Sequence, residues 1–190
     1  MIGNGYANSF NVSNLFGDSS LITSVWKWVA SSSTWAFYSP SFSDGGASYS
    51  SAQGYQALTT INGGDGFWVN AANTLSVSMP GGSRVLSSTF STNGANALNH
   101  GWSLISIGDG GTPLAFNNSL SSTPPVAGVI ANNLTSLWAW DSVNSAWLFY
   151  SPILDGSGNL QSYISTQGYE DFITTNYLLG PSTGFWVNMH

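Results

Sequence analysis

Cysteine is absent from this chain of 190 residues, and charged side chains are scarce. Without cysteine the chain holds no disulfide, no thiolate-ligated zinc and no thiol nucleophile. Only two residues are Lys or Arg and eight are Asp or Glu, so charged residues make up 5% of the sequence and the formal net charge is −6. Because so few cations cannot neutralise phosphates, the composition argues against binding to nucleic acid or to anionic membrane surfaces.

Long apolar runs are also lacking. No run approaches the roughly 20 residues of a membrane-spanning helix, so we expect no membrane insertion. The N-terminal stretch MIGNGYANSF has no basic region or apolar core and does not read as a signal peptide. The neutral composition, rich in Ser, Asn, Gly and aromatic residues, favours an extracellular or cell-surface location. Together these features predict a piece of a longer secreted protein.

Aromatic residues, by contrast, are abundant and recur in an internal repeat. Three stretches appear twice: TSVWKWVASSSTWAFYSP (23–40) as TSLWAWDSVNSAWLFYSP (135–152), YSSAQGY (49–55) as YISTQGY (163–169), and GFWVN (66–70) as GFWVN (184–188). Eight of the nine tryptophans therefore form four matched pairs, and Trp102 is the exception. Such a repeat indicates a tandem duplication.

The two copies differ at their start. Copy two begins with GWSLISIGDG (101–110), whereas copy one offers only IGNG (2–5), which matches IGDG (107–110). We therefore expect copy one to begin just after the position of its own opening strand. A sheet that is one strand short has a free edge, which another chain could fill by strand addition.

Hydrophobic patterning predicts a mainly β fold, or β-rich α+β, with two tandem repeats of β-hairpins and short helices in a sandwich- or barrel-like arrangement. SVWKWVA and SLWAWDS alternate with period two and are followed by short turns, which is typical of hairpins. FNVSNLFG predicts a short helix, as does SYISTQGYEDF, which Gly168 interrupts or caps. GFWVN predicts a strand, and TLSVSMPGG and RVLSSTF predict two more between the copies.

These elements divide the chain into three parts: lobe one (1–73), a β connector (74–100) and lobe two (101–190). Units this small bury little surface alone. We therefore interpret the paired tryptophans as the core of each lobe, since large rings supply much apolar area from few residues. If tryptophan faces inward, Tyr38 and Tyr150 lie nearer the surface.

The set GWSLISIGD, VWKW, WAFYSP, QGY and GFWVN resembles a Trp-rich paired-repeat domain of large secreted or surface-anchored bacterial proteins. Those domains also carry a GWNLIS-type opening strand and a GFWVN-type closing strand. The resemblance covers nearly the whole chain, and its motifs are specific only as a set. It implies an extracellular setting and a modular, repeated role. It implies no catalytic residue.

Aromatic side chains near the surface are the best binding candidates, because sugar rings stack on flat aromatic faces while neutral polar groups bond their hydroxyls. The candidate ligand-binding residues are Tyr38, Tyr150, Tyr49, Tyr163, Asp44, Asp155 and Asn159. The alternative is that the tyrosines are packing residues with wetted hydroxyls. Asp44 and Asp155 stand in turn sequences, where Asp is favoured for local hydrogen bonds.

Catalytic and metal signatures are weak. A triad of His100, Asp109 and a serine is a weak alternative, because no G-x-S-x-G sequence supports it. DGSGNLQ (155–161) resembles a calcium loop only faintly, because it lacks the terminal Glu, so Ca²⁺ at Asp155 stays a weak alternative to no cofactor. The sequence thus favours a non-catalytic extracellular recognition or adhesion module, which binds neutral polysaccharide or other copies of itself through the open strand edge. A filament or surface-layer subunit and a hydrolase (esterase or glycosidase) are the alternatives.

Overall fold

The structure, a computed structural model, describes residues 1–120 and 134–190. Lobe one contains short and long strands with two helices. In chain order its elements are β1 (Ile2–Gly3), β2 (Phe10–Asn11), α1 (Val12–Phe16), β3 (Ile22–Val29), β4 (Thr34–Tyr38), α2 (Ala47–Gln53), β5 (Gln56–Ala57), β6 (Thr60–Ile61) and β7 (Gly66–Ala71). The connector carries one 3₁₀ helix (Ser87–Phe90).

Lobe two repeats this plan with longer helices. Its elements are β8 (Gly101–Ile105), α3 (Pro113–Leu120), β9 (Leu134–Asp141), β10 (Ala146–Tyr150), α4 (Pro152–Gly156), α5 (Leu160–Gln167) and β11 (Phe185–Met189). The predicted mainly β class is confirmed. Among the described residues the sheets stay open and no closed barrel forms, which is compatible with the sandwich-like arrangement.

The two main sheets share the order of four equivalent strands. Lobe one is ordered β1-β7-β3-β4 with β5 added at the edge, and lobe two is ordered β8-β11-β9-β10. The hairpins β3–β4 and β9–β10 pair in equivalent registers, with Trp26 opposite Phe37 and Trp138 opposite Phe149. Both predicted hairpins are therefore confirmed. Their turns end at Ser33 and Ser145, which adopt the same left-handed backbone conformation with φ of 49° and 53°.

The short helices predicted from the repeat are also confirmed. The helix α5 ends at Gly168, whose φ of 72° is the left-handed conformation that favours glycine at a helix end. Its counterpart α2 ends at Gly54 in the same way, with φ of 75°. At α1, the side chain of Asn11 accepts a hydrogen bond from the backbone N–H of Ser13, which begins the helix.

The opening strand of lobe one is present in part, which corrects the expectation that it is missing. Ile2 pairs with Phe67 as Ile105 pairs with Phe185, so β1 occupies the position of β8. It supplies two residues where β8 supplies five. Ile2 is therefore equivalent to Ile105 and not to Ile107, with which the IGNG match aligns it. The match is short, and only the strand pairing shows that it is displaced by two positions.

Within residues 74–100, all of which the structure describes, the one strand-like pairing is the isolated antiparallel bridge of Arg84 with Tyr6 and no longer strand forms, so the β connector was wrong. Its first part still alternates, and Leu75, Val77 and Met79 pack against the core of lobe one. Its second part serves lobe two, where Val85 and Phe90 join the core. The period-two pattern reflects an extended chain lying on a core rather than pairing in a sheet.

Each lobe has its own core, and neither is built of tryptophan. Lobe one buries Phe10, Val12, Phe16, Ile22, Val25, Ala36, Tyr38, Leu58, Ile61 and Phe67. The core of lobe two includes Phe116, Leu137, Leu148, Tyr150, Phe185 and Val187. The tryptophans of the repeat are only partly buried, and of these eight residues Trp138 alone packs against a lobe core, so their assignment to the core of each lobe was wrong.

Backbone contacts join the two lobes. The N–H of Ser106 donates to the carbonyl of Gly64 at 2.8 Å, and the N–H of Gly3 donates to the carbonyl of Ser182 at 3.1 Å. Ser106 and Gly3 are equivalent positions of the two copies, as are Gly64 and Ser182, so each lobe donates the same hydrogen bond to the other. The close approach needs glycine, since a Cβ on Gly184 would collide with the carbonyl oxygen of Ile2.

Candidate aromatic binding site

The tryptophans of the repeat lie on the face of each sheet opposite the one that carries most of its lobe's core, and Trp138 also packs against the edge of the core of lobe two. On β3, Val25 points into the core while its neighbour Trp26 points to the opposite face, as alternation in a strand requires. Trp26 stands opposite Phe37 on β4 and Trp68 on β7, so the rings form a row across three strands. Both faces of the sheet are thus apolar, and only one of them is used by the lobe's own core.

This second face contains an aromatic cleft, which we call cleft one. It is a cavity of about 290 Å³ lined by Trp26, Trp35, Tyr55, Trp68 and Asn70. That volume is just below the about 300–1,000 Å³ usual for ligand pockets, so the cleft suits one small unit of a ligand. All four aromatic rings are half-buried.

Ring–ring contacts hold the walls of cleft one in place. Trp26 meets Trp35 at 6.2 Å between centroids with an interplanar angle of 90°, and it meets Tyr55 at 5.3 Å and 80°. Edge-to-face contacts of this kind are favoured by the quadrupole of the rings. The walls are therefore ordered before any ligand binds, which lowers the entropy cost of binding.

Two hydrogen bonds set the polar groups of cleft one. The Ser24 hydroxyl accepts from the indole Nε1 of Trp26 at 3.0 Å and from the amide Nδ2 of Asn70 at 2.9 Å. An amide has two donor hydrogens and an acceptor oxygen, so Asn70 retains hydrogen-bonding capacity for a ligand. Lys27 points to the other face of β3, where it pairs with Asp65. The cleft is lined by aromatic and amide groups and by no acid, Lys, Arg or His of the described chain.

Tyr38 and Tyr150 lie on the core face, which corrects the expectation that they are near the surface. Their side chains are 7% and 5% exposed. Because Trp35 faces away from the core, alternation along β4 turns Ala36 and Tyr38 toward it. Burial raises the pKa of both tyrosine hydroxyls, and the negative charge of Asp155 raises the pKa of Tyr150 further.

Tyr49 and Tyr163 are exposed, as candidate binding residues should be, at 40% and 37%. They stand on α2 and α5 and pack beside the aromatic row rather than within cleft one. The ring of Tyr49 lies 5.0 Å from that of Phe37, and the ring of Tyr163 lies 5.1 Å from that of Phe149. They extend the aromatic surface of each lobe at the side of the helices.

Asp44, Asp155 and Asn159 make local hydrogen bonds. Asp44 does so in a turn, as the turn interpretation expects, whereas Asp155 lies within helix α4. Asp44 accepts from the backbone N–H of Gly46 at 2.9 Å and of Ser48 at 2.8 Å. Hydrogen bonds from Ser48 are the main cause that lowers the pKa of Asp44 to about 2. Asp155 accepts from the hydroxyl of Tyr150 at 3.1 Å, while the Asn159 amide donates to Ser157. None of the three lines cleft one.

His100 and Asp109 lie beyond opposite ends of β8. Eight residues lie between them, and five of these form the extended strand β8 at about 3.3 Å each, which does not favour a catalytic pair. Asp109 accepts hydrogen bonds from the backbone N–H and hydroxyl of Ser87, so it anchors the connector. The ring of His100 lies 6.4 Å from that of His190. In residues 1–120 and 134–190, no group of three or more His, Asp or Glu is placed to hold a metal ion.

Sequence reasoning missed the tryptophans as site residues because it assigned them to the cores. One signal could have found them. In WAFY the residues on both faces are apolar, so one face had to pack against something other than the lobe's own core. Asn70 also recurs as Asn188 at the end of each GFWVN, two positions after the tryptophan and therefore on the same face of the strand.

No protein-family model, curated protein or solved structure matches this chain. The resemblance to paired-repeat domains of bacterial surface proteins therefore stays an expectation from the sequence. Within the described part of the chain, no helix combines the length and apolar character needed to span a membrane.

Proposed function

We propose that the chain is a non-catalytic extracellular recognition module that binds neutral polysaccharide in cleft one. The observation that carries the proposal is the grouping of Trp26, Trp35, Tyr55 and Trp68 around the Asn70 amide. The C–H face of a sugar ring is apolar and packs on an indole, while its hydroxyls need neutral donors and acceptors such as an amide. The cleft offers both.

Charge supports a neutral ligand over an acidic one. The chain has a formal net charge of −6, and among the described residues no cationic side chain lines cleft one. A uronic acid or sulfated sugar would be desolvated in the cleft without a partner for its charge, which costs free energy. Low charge also suits an exposed surface outside the cell, where we propose that this chain acts.

Tryptophan fluorescence tests the proposal, because three of the rings in cleft one are indoles. We would titrate the protein with neutral trisaccharides of glucose, N-acetylglucosamine and xylose, and with a trigalacturonate as the acidic control. Binding of a neutral sugar should shift or quench the emission, and Tyr55→Ala should weaken binding in cleft one at least tenfold. The matched control is Tyr49→Ala, outside the cleft, which should bind like the native protein. No response to any neutral sugar would contradict the proposal.

A second candidate function is assembly through the edge of β7, as a filament or surface-layer subunit. On the outer side of β7 only Gly66 and Phe67 have strand partners among the described residues, whereas β8 pairs with all of β11. Beside this edge lies a cavity of about 400 Å³ lined largely by apolar groups, including Ile2, Val69, Leu75, Val77 and Met79. Exposed strand edges are templates for pairing with another chain.

Light scattering across a concentration series tests assembly. If the β7 edge pairs between copies, the solution mass rises with concentration, and Ala71→Lys lowers it because lysine at an edge opposes pairing. A constant monomer mass at every concentration would remove this candidate.

The hydrolase alternative has the least support, since the described residues offer no grouping of the acid and base residues that the sequence suggested.

A further inference from the structure

The repeat places a second set of cleft residues on lobe two. The equivalent positions, read from strand register and from the repeated sequence, are Trp138 for Trp26, Trp147 for Trp35, Tyr169 for Tyr55, Trp186 for Trp68 and Asn188 for Asn70. All five side chains of lobe two are half-buried. We call this set cleft two, because its residues are equivalent to those of cleft one.

The ring geometry of cleft two reproduces that of cleft one. Trp138 meets Trp147 at 6.2 Å and 87°, where the lobe-one pair has 6.2 Å and 90°. Trp138 meets Tyr169 at 5.0 Å and 80°, where the lobe-one pair has 5.3 Å and 80°. The indole Nε1 of Trp138 donates to Ser136 at 3.1 Å, as Trp26 donates to Ser24. Both lobes therefore carry the same types of side chain in the same ring geometry.

Cleft two has one further ring, from the tryptophan that the repeat leaves unmatched. Trp102 on β8 stands directly opposite Asn188 on β11, so it projects from the same face of the sheet. Its ring lies 6.0 Å from that of Trp186, nearly perpendicular to it at 88°, and its side chain is 43% exposed. In lobe one, no described residue of β1 stands opposite Asn70, because β1 pairs with β7 only at Gly66 and Phe67.

We propose that cleft two is a second neutral-saccharide site, in which Trp102 supplies an additional stacking surface. This inference rests on the proposed function of cleft one. The chain then carries two saccharide sites of unequal affinity, with the tighter one on lobe two. Because a polysaccharide repeats its sugar units, two sites on one body raise the overall affinity for long chains beyond that of either site.

Isothermal titration calorimetry with the same neutral trisaccharides tests the proposal, since it counts sites. The native protein should bind two trisaccharides, Tyr55→Ala should retain the site in cleft two, and Tyr169→Ala should retain the site in cleft one. Trp102→Ala, combined with Tyr55→Ala, should weaken the remaining site at least threefold. Combined with Tyr169→Ala, it should leave the remaining site unchanged.

The outcomes separate this proposal from the proposed function. One site, lost in Tyr55→Ala and unaffected by Tyr169→Ala, would overturn cleft two and leave the function of cleft one intact. No binding of any trisaccharide by the native protein would overturn both. If Tyr169→Ala does not fold, as judged by circular dichroism, the pair Asn70→Ala and Asn188→Ala makes the same comparison with smaller changes in packing.

Discussion

The indole ring of Trp35 on lobe one lies 5.8 Å from the indole ring of Trp186 on lobe two, with their planes at 84°. The equivalent contact in the other direction joins Trp147 to Trp68 at 5.9 Å and 73°. Each lobe therefore inserts its hairpin tryptophan against the closing strand of the other. The duplicated tryptophans join two lobes that each already have a core of their own.

Removing Trp186 should destabilise the protein more than removing Trp102. Trp186 contacts the rings of Trp28, Trp35 and Trp102, whereas Trp102 is more exposed. We expect Trp186→Ala to lower the free energy of unfolding by about 3 kcal/mol and Trp102→Ala by less than about 1 kcal/mol. Denaturant unfolding measures both. Equal losses would show that the contacts between lobes contribute little.

Glycine at the junction between the lobes should not tolerate a side chain. In Gly184→Ala the new Cβ would meet the backbone of Ile2, which cannot move without disturbing β1. We expect a loss of about 3 kcal/mol, at the upper end of overpacking effects. The control is Gly81→Ala, where nothing lies within 4 Å and the expected change is near zero. A well-tolerated Gly184→Ala would contradict the close approach of Gly184 to Ile2.

Asp44 should make stability depend on pH in the acid range. The folded pKa of about 2 is below the ordinary value of 3.8, so the stabilisation is complete above about pH 4 and is lost as pH falls toward 2. The difference in stability between the native protein and Asp44→Asn should therefore shrink across that window. Carboxyl titration by NMR should show the pKa of Asp44 rising toward 3.8 in Ser48→Ala. An unchanged pKa of Asp44 in that variant would exclude the Ser48 hydroxyl as its main cause.

Tyr150 should keep its proton at pH values where an exposed tyrosine ionises. Burial is the main cause that raises its pKa above 10.0, followed by the charge of Asp155. A raised pKa means that its contribution to stability is complete below about pH 10 and is lost as pH rises further. In Asp155→Asn the pKa should fall but stay above 10.0. Ultraviolet titration of the tyrosines measures this, and an ordinary tyrosine pKa in the native protein would contradict the burial of Tyr150.

Local elements were predictable because their signals are local. Alternation in SVWKWVA and SLWAWDS predicted both hairpins, and Gly168 correctly marked the end of α5. The connector failed because an extended segment on a core has the same alternation as a paired strand. Leu75, Val77 and Met79 show that a period of two indicates an extended backbone and does not indicate a strand partner.

Sequence by itself determined the duplication, the mainly β class and the aromatic residues that the two copies share, because matched stretches and alternation are properties of neighbouring residues. Only the tertiary structure decided which face of each sheet turns toward its own core. Alternation separates Trp35 from Tyr38 but assigns neither to the inside, since both faces are apolar. The phenylalanine and aliphatic residues of each core pack against the face that carries Tyr38 or Tyr150. The tryptophans on the opposite face therefore contact the other lobe and line the clefts.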